Sequence, residues 1–348
     1  MLSRVADSLF WMSRYIERAE DLMRVLAVRF LTLLDAGQME SEEAWRQLLT
    51  ITYDEKMYAK LYERGTARDI IDFIVWNPAN PNSVLWCVTM ARENARGIRE
   101  QISMEMWETL NRLYFNIRET PHEKAFRAPV EFFNSLREAT QGFRGVTSET
   151  MTHSDPYEFI ELGKHIERAE KTARIVGVKY ETVRNLAPGS PEEALQLMAM
   201  LKSCSAFEPF RREHTSQLNA ATIVEYLLLS HEFPRSVMFC LNRSLRAVNT
   251  INSIGEAAPS LTQMGTQGIL PQRSLGKLVS ELEYLEVSEV LGEHLQQYLE
   301  QLLRRLGHIG EDVTRSYFNT QVILPELHPQ QAQQQQQQQQ QLGNGQGI

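Results

Sequence analysis

The sequence predicts an all-α fold, an internally duplicated helical bundle with approximate two-fold pseudo-symmetry. Apolar residues recur at helical spacing along nearly the whole chain, alternating strand-like runs are almost absent, and two motifs recur in the same order about 150 positions apart. With 348 residues and 43% hydrophobic content, the chain is long enough to bury a substantial core.

The first helix is the clearest. Val5, Leu9, Met12, Ile16, Ala19, Met23, Leu26, Phe30 and Leu33 keep the four-three spacing of a helix-packing seam, and Gly37 is placed to end it. Further helices are predicted over about 42–60, 66–76, 82–118, 129–145, 156–185, 191–203, 219–229, 235–253 and 277–318. Breaks at Pro78, Pro81, Pro121, Pro156, Pro188, Pro191 and Pro234 punctuate them, and His153-Ser154-Asp155 reads as the N-terminal cap of the helix that follows. Residues 254–276 read as a long loop. After Pro325 the chain becomes a glutamine tract that cannot bury a core, so residues 323–348 are expected to be a disordered tail.

The duplication rests on two matches. Placing each residue n on n+150 aligns Arg14–Val28 with Lys164–Val178, and Ile-Glu-Arg-Ala-Glu recurs intact in both. PNSVLWC, from Pro81, returns as PRSVMFC, from Pro234, at an offset of 153. A second seam follows the first: Phe159, Leu162, Ile166, Ala169, Ala173, Val176, Tyr180 and Val183. One domain over residues 1–322, with repeats of about 1–150 and 151–322, is therefore expected.

Charge and motifs exclude several functions. A net charge of −8 gives no global drive toward nucleic acid or an anionic membrane. The apolar start is interrupted by Arg4, Asp7, Arg14 and Glu17, so no signal peptide is read, and no uncharged run of about 18 residues suggests a membrane span. Cys87, Cys204 and Cys240 form no Cys-x-x-Cys pair, which points to buried free thiols and a cytoplasmic location. Phosphate-binding GxxxxGK[ST], HExxH and GxSxG signatures are absent.

The repeated motif carries charge as well as seam. Arg14, Glu17, Asp21 and Arg24 form a stripe, and Lys164, Glu167, Lys171 and Arg174 form its copy. Such a stripe is a solvated face, a buried network holding helices in register, or a ligand or active site with Glu17 or Glu167 as general base and Arg18 or Arg168 as anion clamp. Phe10 and Val28 bracket the first stripe and Ile160 and Val178 the second, so protein covers this side in the second and third readings. The candidate set is Glu17, Arg18, Glu20, Arg24, Glu167, Arg168, Glu170 and Arg174, with Arg92 and Glu93 from a second charged patch, ARENARGIRE. Paired carboxylates on duplicated helices are similar to di-iron bundles, but those use Glu-x-x-His, whereas Glu17 and Glu167 are followed three positions later by Glu. No metal or other cofactor is expected.

Four segments, LSRVADSLFWMSRYIERAEDLMRVL, NPANPNSVLWCVTMARENARGIREQISMEMWETLN, EFIELGKHIERAEKTARIV and FPRSVMFCLNR, together resemble the bacterial alpha-E domain family, across about residues 1–322. The resemblance implies an all-helical protein whose Glu-Arg motif maps onto Glu17 and Arg18 and, by the repeat, onto Glu167 and Arg168. It further implies two partners, a circularly permuted ATP-grasp protein and a transglutaminase-like protein. The expectation is an accessory or binding protein in peptide or amide-bond synthesis or modification. An enzyme of the same pathway, with a Glu/Arg site between the duplicated helices, and a purely structural scaffold are the alternatives.

Overall fold

The structure, a computed structural model, describes residues 1–214, 218–257, 269–292 and 294–318. In chain order its helices are α1 (Ser3–Asp35), α2 (Glu42–Thr52), α3 (Glu55–Leu61), α4 (Ala67–Val75), α5 (Val84–Arg96), α6 (Met104–Glu119), α7 (His122–Arg127), α8 (Pro129–Thr150), α9 (Asp155–Val183), α10 (Pro191–Ser203), α11 (Phe207–Glu213), α12 (Ala220–Leu229), α13 (Val237–Ala257), α14 (Ile269–Glu283), α15 (Val287–Val290) and α16 (His294–Val313). No strand occurs among the described residues, and the fold is all-α. Met1–Phe318 form one compact unit; the predicted glutamine-rich tail lies outside the described residues.

Several predicted helices are interrupted, for local reasons. The one over 42–60 breaks at Tyr53, which takes a left-handed conformation with φ of 64°. The helix over 82–118 ends at Arg96 with Gly97 as its C-cap, and a new one starts after Ser103, whose side chain accepts a hydrogen bond from the Met106 N–H at 3.1 Å. The one over 277–318 is divided around Glu286 and Gly292, the latter at φ of 78°. Conversely, residues 269–276 of the predicted loop belong to α14, with Pro271 in the first turn, where its missing N–H costs nothing; residues 258–268 lie outside the described part. Short helices α7 and α11 were not predicted. Ser154 does occupy the N-cap of α9, but its side chain makes no capping bond.

Helices α1 and α9 lie side by side at the centre, with α5 and α8 packed on α1, and α13 and α16 on α9. Both seams are buried, with only Phe30 and Tyr180 partly exposed. The two helices run parallel in a constant register, because Ser13 meets Gly163, Glu17 meets Arg168, and Arg29 meets Lys179. That is the register in which position n faces position n+150.

Gly163 sets how closely the two helices approach. A Cβ there would overlap the Phe10 carbonyl oxygen and Ser13 Oγ, and the first of these is backbone that cannot swing aside. Overpacking of this kind costs about 1–3 kcal/mol. Gly163→Ala is therefore expected to lower stability to urea unfolding by about 2 kcal/mol, whereas Gly142→Ala, at a position with open space, leaves it unchanged or slightly raised.

A reciprocal Glu-Arg core as the candidate functional site

The charged stripe of α1 is not a solvated face. Arg14, Glu17, Glu20, Asp21 and Arg24 are all buried, as are Glu167 and Arg168 on α9. A helix covered on its seam and on its charged side must find internal partners for those charges.

The partners are reciprocal. Arg18 of α1 grips Glu167 of α9 through Nε to Oε1 at 2.7 Å and Nη2 to Oε2 at 3.2 Å. Arg168 of α9 returns the same fork to Glu17, Nε to Oε1 at 2.8 Å and Nη2 to Oε2 at 3.0 Å. Such two-point guanidinium-carboxylate pairs fix direction as well as distance. The remaining nitrogen of each arginine reaches the other repeated motif: Arg18 Nη1 donates to Asn82 Oδ1 at 3.1 Å, and Arg168 Nη1 to the Pro234 carbonyl at 3.1 Å. Those loops lead into α5 and α13, capped by Ser83 and Ser236. The two motifs written twice in the sequence thus touch each other.

Around this exchange lie two clusters. Glu17 also takes Arg144 at 2.6 Å and Arg235 at 3.1 Å; Glu20 takes Arg235 and Arg24, each at 2.7 Å; Asp21 takes Arg24 and Arg235. Arg24 Nε donates to the Ser203 carbonyl at 2.6 Å, tying in α10. On the other side, Arg14 bridges Glu167 at 2.7 Å and Glu170 at 2.9 Å, and Lys171 stands 3.5 Å from Glu167.

Ionisation follows this wiring. Burial pushes the Glu17 carboxyl up, but Arg144, Arg168 and Arg235 outweigh it and hold the group well below the usual carboxylate range. Glu167 is held down likewise by Arg18, Arg14 and Lys171 against its burial, and Glu20 by Arg235, Arg24 and Arg144. A general base must accept a proton near neutral pH; Glu17 and Glu167, ionised and 0% exposed, are unsuited to that task. Glu17, Glu20 and Asp21 lie close enough together to ligate a cation, but guanidiniums already occupy their oxygens apart from Asp21 Oδ2. His165, whose Nε2 lies 3.4 Å from Glu161, is neutral, its pKa driven down to about 3 by burial. Burial drives the Cys87 and Cys240 thiols up to about 12, which fits packing and not nucleophilic chemistry.

Of the residues singled out in the sequence, Glu17, Arg18, Glu20, Arg24, Glu167, Arg168 and Glu170 belong to these clusters. Arg174 does not: its guanidinium lies over the Tyr53 ring at 4.0 Å. Arg92 and Glu93 are apart as well. Arg92 bonds Asn111 at 2.6 Å and stacks on Trp107 and Tyr114, while Glu93 pairs with Arg92 and the exposed Arg96. Sequence reasoning missed Arg144 and Arg235. Arg235 carried a usable signal, since it replaces Asn82 inside a repeated motif; Arg144, on α8, carried none.

The Alpha-E family, described as a predicted alpha-helical domain with a conserved ER motif, matches residues 1–318. The chain belongs to this family. The sequence holds three Glu-Arg dipeptides: Glu17-Arg18 and Glu167-Arg168 in the core, and Glu63-Arg64, which is exposed. Among the curated relatives are uncharacterized proteins of Mycobacterium bovis and of two Mycobacterium tuberculosis strains, each 26% identical over 343 residues, covering 92% of this chain and 37% of the relative. The Alpha-E chain thus spans little more than a third of their length. No solved structure gives a significant match. No helix among the described residues is long and apolar enough to cross a membrane.

Removing one partner from a buried ionic network typically costs about 3–5 kcal/mol. Glu17→Gln, which leaves three guanidiniums facing a neutral amide, is expected to lose that much in urea unfolding, and Glu93→Gln, on the half-exposed face, less than about 0.5 kcal/mol. Because the folded-state carboxyl pKa values are depressed, their stabilisation is complete above the ordinary value near 4.3 and is lost as pH falls below it, at about 1.4 kcal/mol per unit for each group. Urea midpoints measured from pH 5 to pH 3 should therefore fall more gently for Glu17→Gln than for the parent chain.

Farther along α1 and α9, Lys179 and Arg29 are buried with no carboxylate in contact among the described residues, and burial and Arg29 lower the Lys179 pKa to about 7. The unfolded chain binds that proton up to about pH 10.4, so stability gains as pH rises from 7 toward 10. Lys179→Met is expected to raise the urea midpoint at pH 7 and to flatten this rise.

Proposed function

We propose that this Alpha-E protein is a cytoplasmic accessory or binding subunit. It acts with a circularly permuted ATP-grasp ligase and a transglutaminase-like protein in peptide or amide-bond synthesis or modification. The observation that carries this reading is that the family's defining residues satisfy each other: Arg18 holds Glu167, and Arg168 holds Glu17. The motif accordingly organises the domain and leaves reaction chemistry to a partner. The relatives lend support, because the domain makes up only about 37% of their length and is there joined to further polypeptide.

The same reading takes residues 1–322 as a single domain built from two copies, about 1–150 and 151–322. Parallel register and reciprocal pairing support that origin. A purely structural scaffold is the second reading, favoured by how completely the carboxylates are occupied. It differs in requiring no partner. Tagged protein isolated from the native host after gentle cross-linking is expected to retain the ligase and the transglutaminase-like protein. Quantitative recovery of the Alpha-E chain with neither enzyme would reject the accessory role and leave the scaffold.

A further inference from the structure

A cavity of about 100 Å³ opens between α1, α8 and α9, beside the Glu17 cluster. That is room for several waters or a small ligand. Its polar wall contains Arg144, Lys164, Ser148, Tyr157 and Glu161, and its apolar wall is formed by Ile16, Phe143 and Ile160.

Two features give this wall an unfilled preference for negative charge. The first is local stoichiometry. Arg24, Arg144, Arg168 and Arg235 surround Glu17, Glu20 and Asp21, four cations on three carboxylates. Glu161 is shared by Lys164 and by Arg243 at 3.6 Å, so the one carboxylate in the cavity wall is already matched by cations. The second is donor geometry. Among the described residues Arg144 pairs through Nη2 alone, with Glu17 and Glu20, which leaves its Nε and Nη1 hydrogens, and Lys164 pairs with Glu161. A guanidinium edge, an ammonium and the Ser148 and Tyr157 hydroxyls line the space together with one acid, Glu161, which is paired with Lys164, and Ile16, Phe143 and Ile160 supply its hydrocarbon side. Burial lowers the Lys164 pKa, with Glu161 opposing the shift and Arg168 adding to it.

We propose that this cavity binds the oxyanion head group, carboxylate or phosphate, of a small molecule, held between Arg144 and Lys164 with its apolar portion against Phe143 and Ile160. The site is independent of the partner assignment above. It also separates recognition from the Glu-Arg exchange: Arg144 touches both, so Glu17 and Glu20 hold the guanidinium in place while its free edge faces the ligand.

The test titrates the full chain with inorganic phosphate and, separately, with acetate, chloride holding ionic strength constant, and follows heat of binding and amide chemical shifts. Saturable binding of at least one oxyanion is expected, with shifts centred on 143–148 and 157–164; which of the two binds more tightly distinguishes phosphate from carboxylate ligands. Lys164→Gln should weaken the affinity at least tenfold. Ser148→Trp, at an exposed rim position that is not part of the core, should do the same by blocking the mouth, and Arg92→Gln should leave affinity unaltered. Absence of saturation by both anions, or affinity unchanged in folded Ser148→Trp, overturns the proposal.

Discussion

Everything in this protein is arranged around one electrostatic requirement: the carboxylates at the centre of α1 and α9 are taken out of water and must be matched by cations from elsewhere in the chain. An isolated buried carboxylate would simply protonate, and a single buried ion pair is often no better than two apolar side chains. What makes the arrangement workable is that each carboxylate accepts from several guanidiniums, so the cost of leaving water is offset by many short contacts. Direction matters as much as energy. Forked contacts tolerate little sliding, so the crossing arginines fix the axial register of α1 against α9 in a way that an apolar seam, which repeats each turn, does not.

The second layer of organisation follows from the first. Arg18 and Arg168 each have one nitrogen left after gripping their carboxylate, and each directs it to the loop that starts the neighbouring helix. Position in the core is thereby transmitted to α5 and α13. Arg24 does the same for α10 through the Ser203 carbonyl. The charges are the joints at which peripheral helices are set onto the central pair, and the apolar side chains fill the space between.

Much of this was legible in the sequence, and the parts that were not have identifiable causes. The seams of α1 and α9 were readable because helical periodicity extends over many turns, and the Glu-Arg pairs because they were written twice. Repeat logic then misled at Arg174. Its counterpart Arg24 has Glu20 and Asp21 for company, but at the copy of Asp21 stands Lys171, and Glu170 is taken by Arg14, so Arg174 turns to the face of Tyr53. Arg144 and Arg235 were invisible for a different reason: they arrive from other helices, and only the tertiary path decides which distant cation completes a site. The break after Arg96 was hidden because apolar spacing continues through Ile98 and Ile102, while Gly97 caps the end of α5 and Ser103 starts α6.

The parallel placement of α1 beside α9 has a consequence for how the chain reaches its native state. Partners in the central pair are separated by about 150 residues, and roughly half of the protein must emerge from the ribosome before the first helix can meet its mate. Until then Glu17 and Glu20 lack Arg168 and Arg235, and the nascent amino-terminal portion holds carboxylates that favour hydration over collapse. The contacts that pair α1 with α9 can therefore form only once both central helices exist.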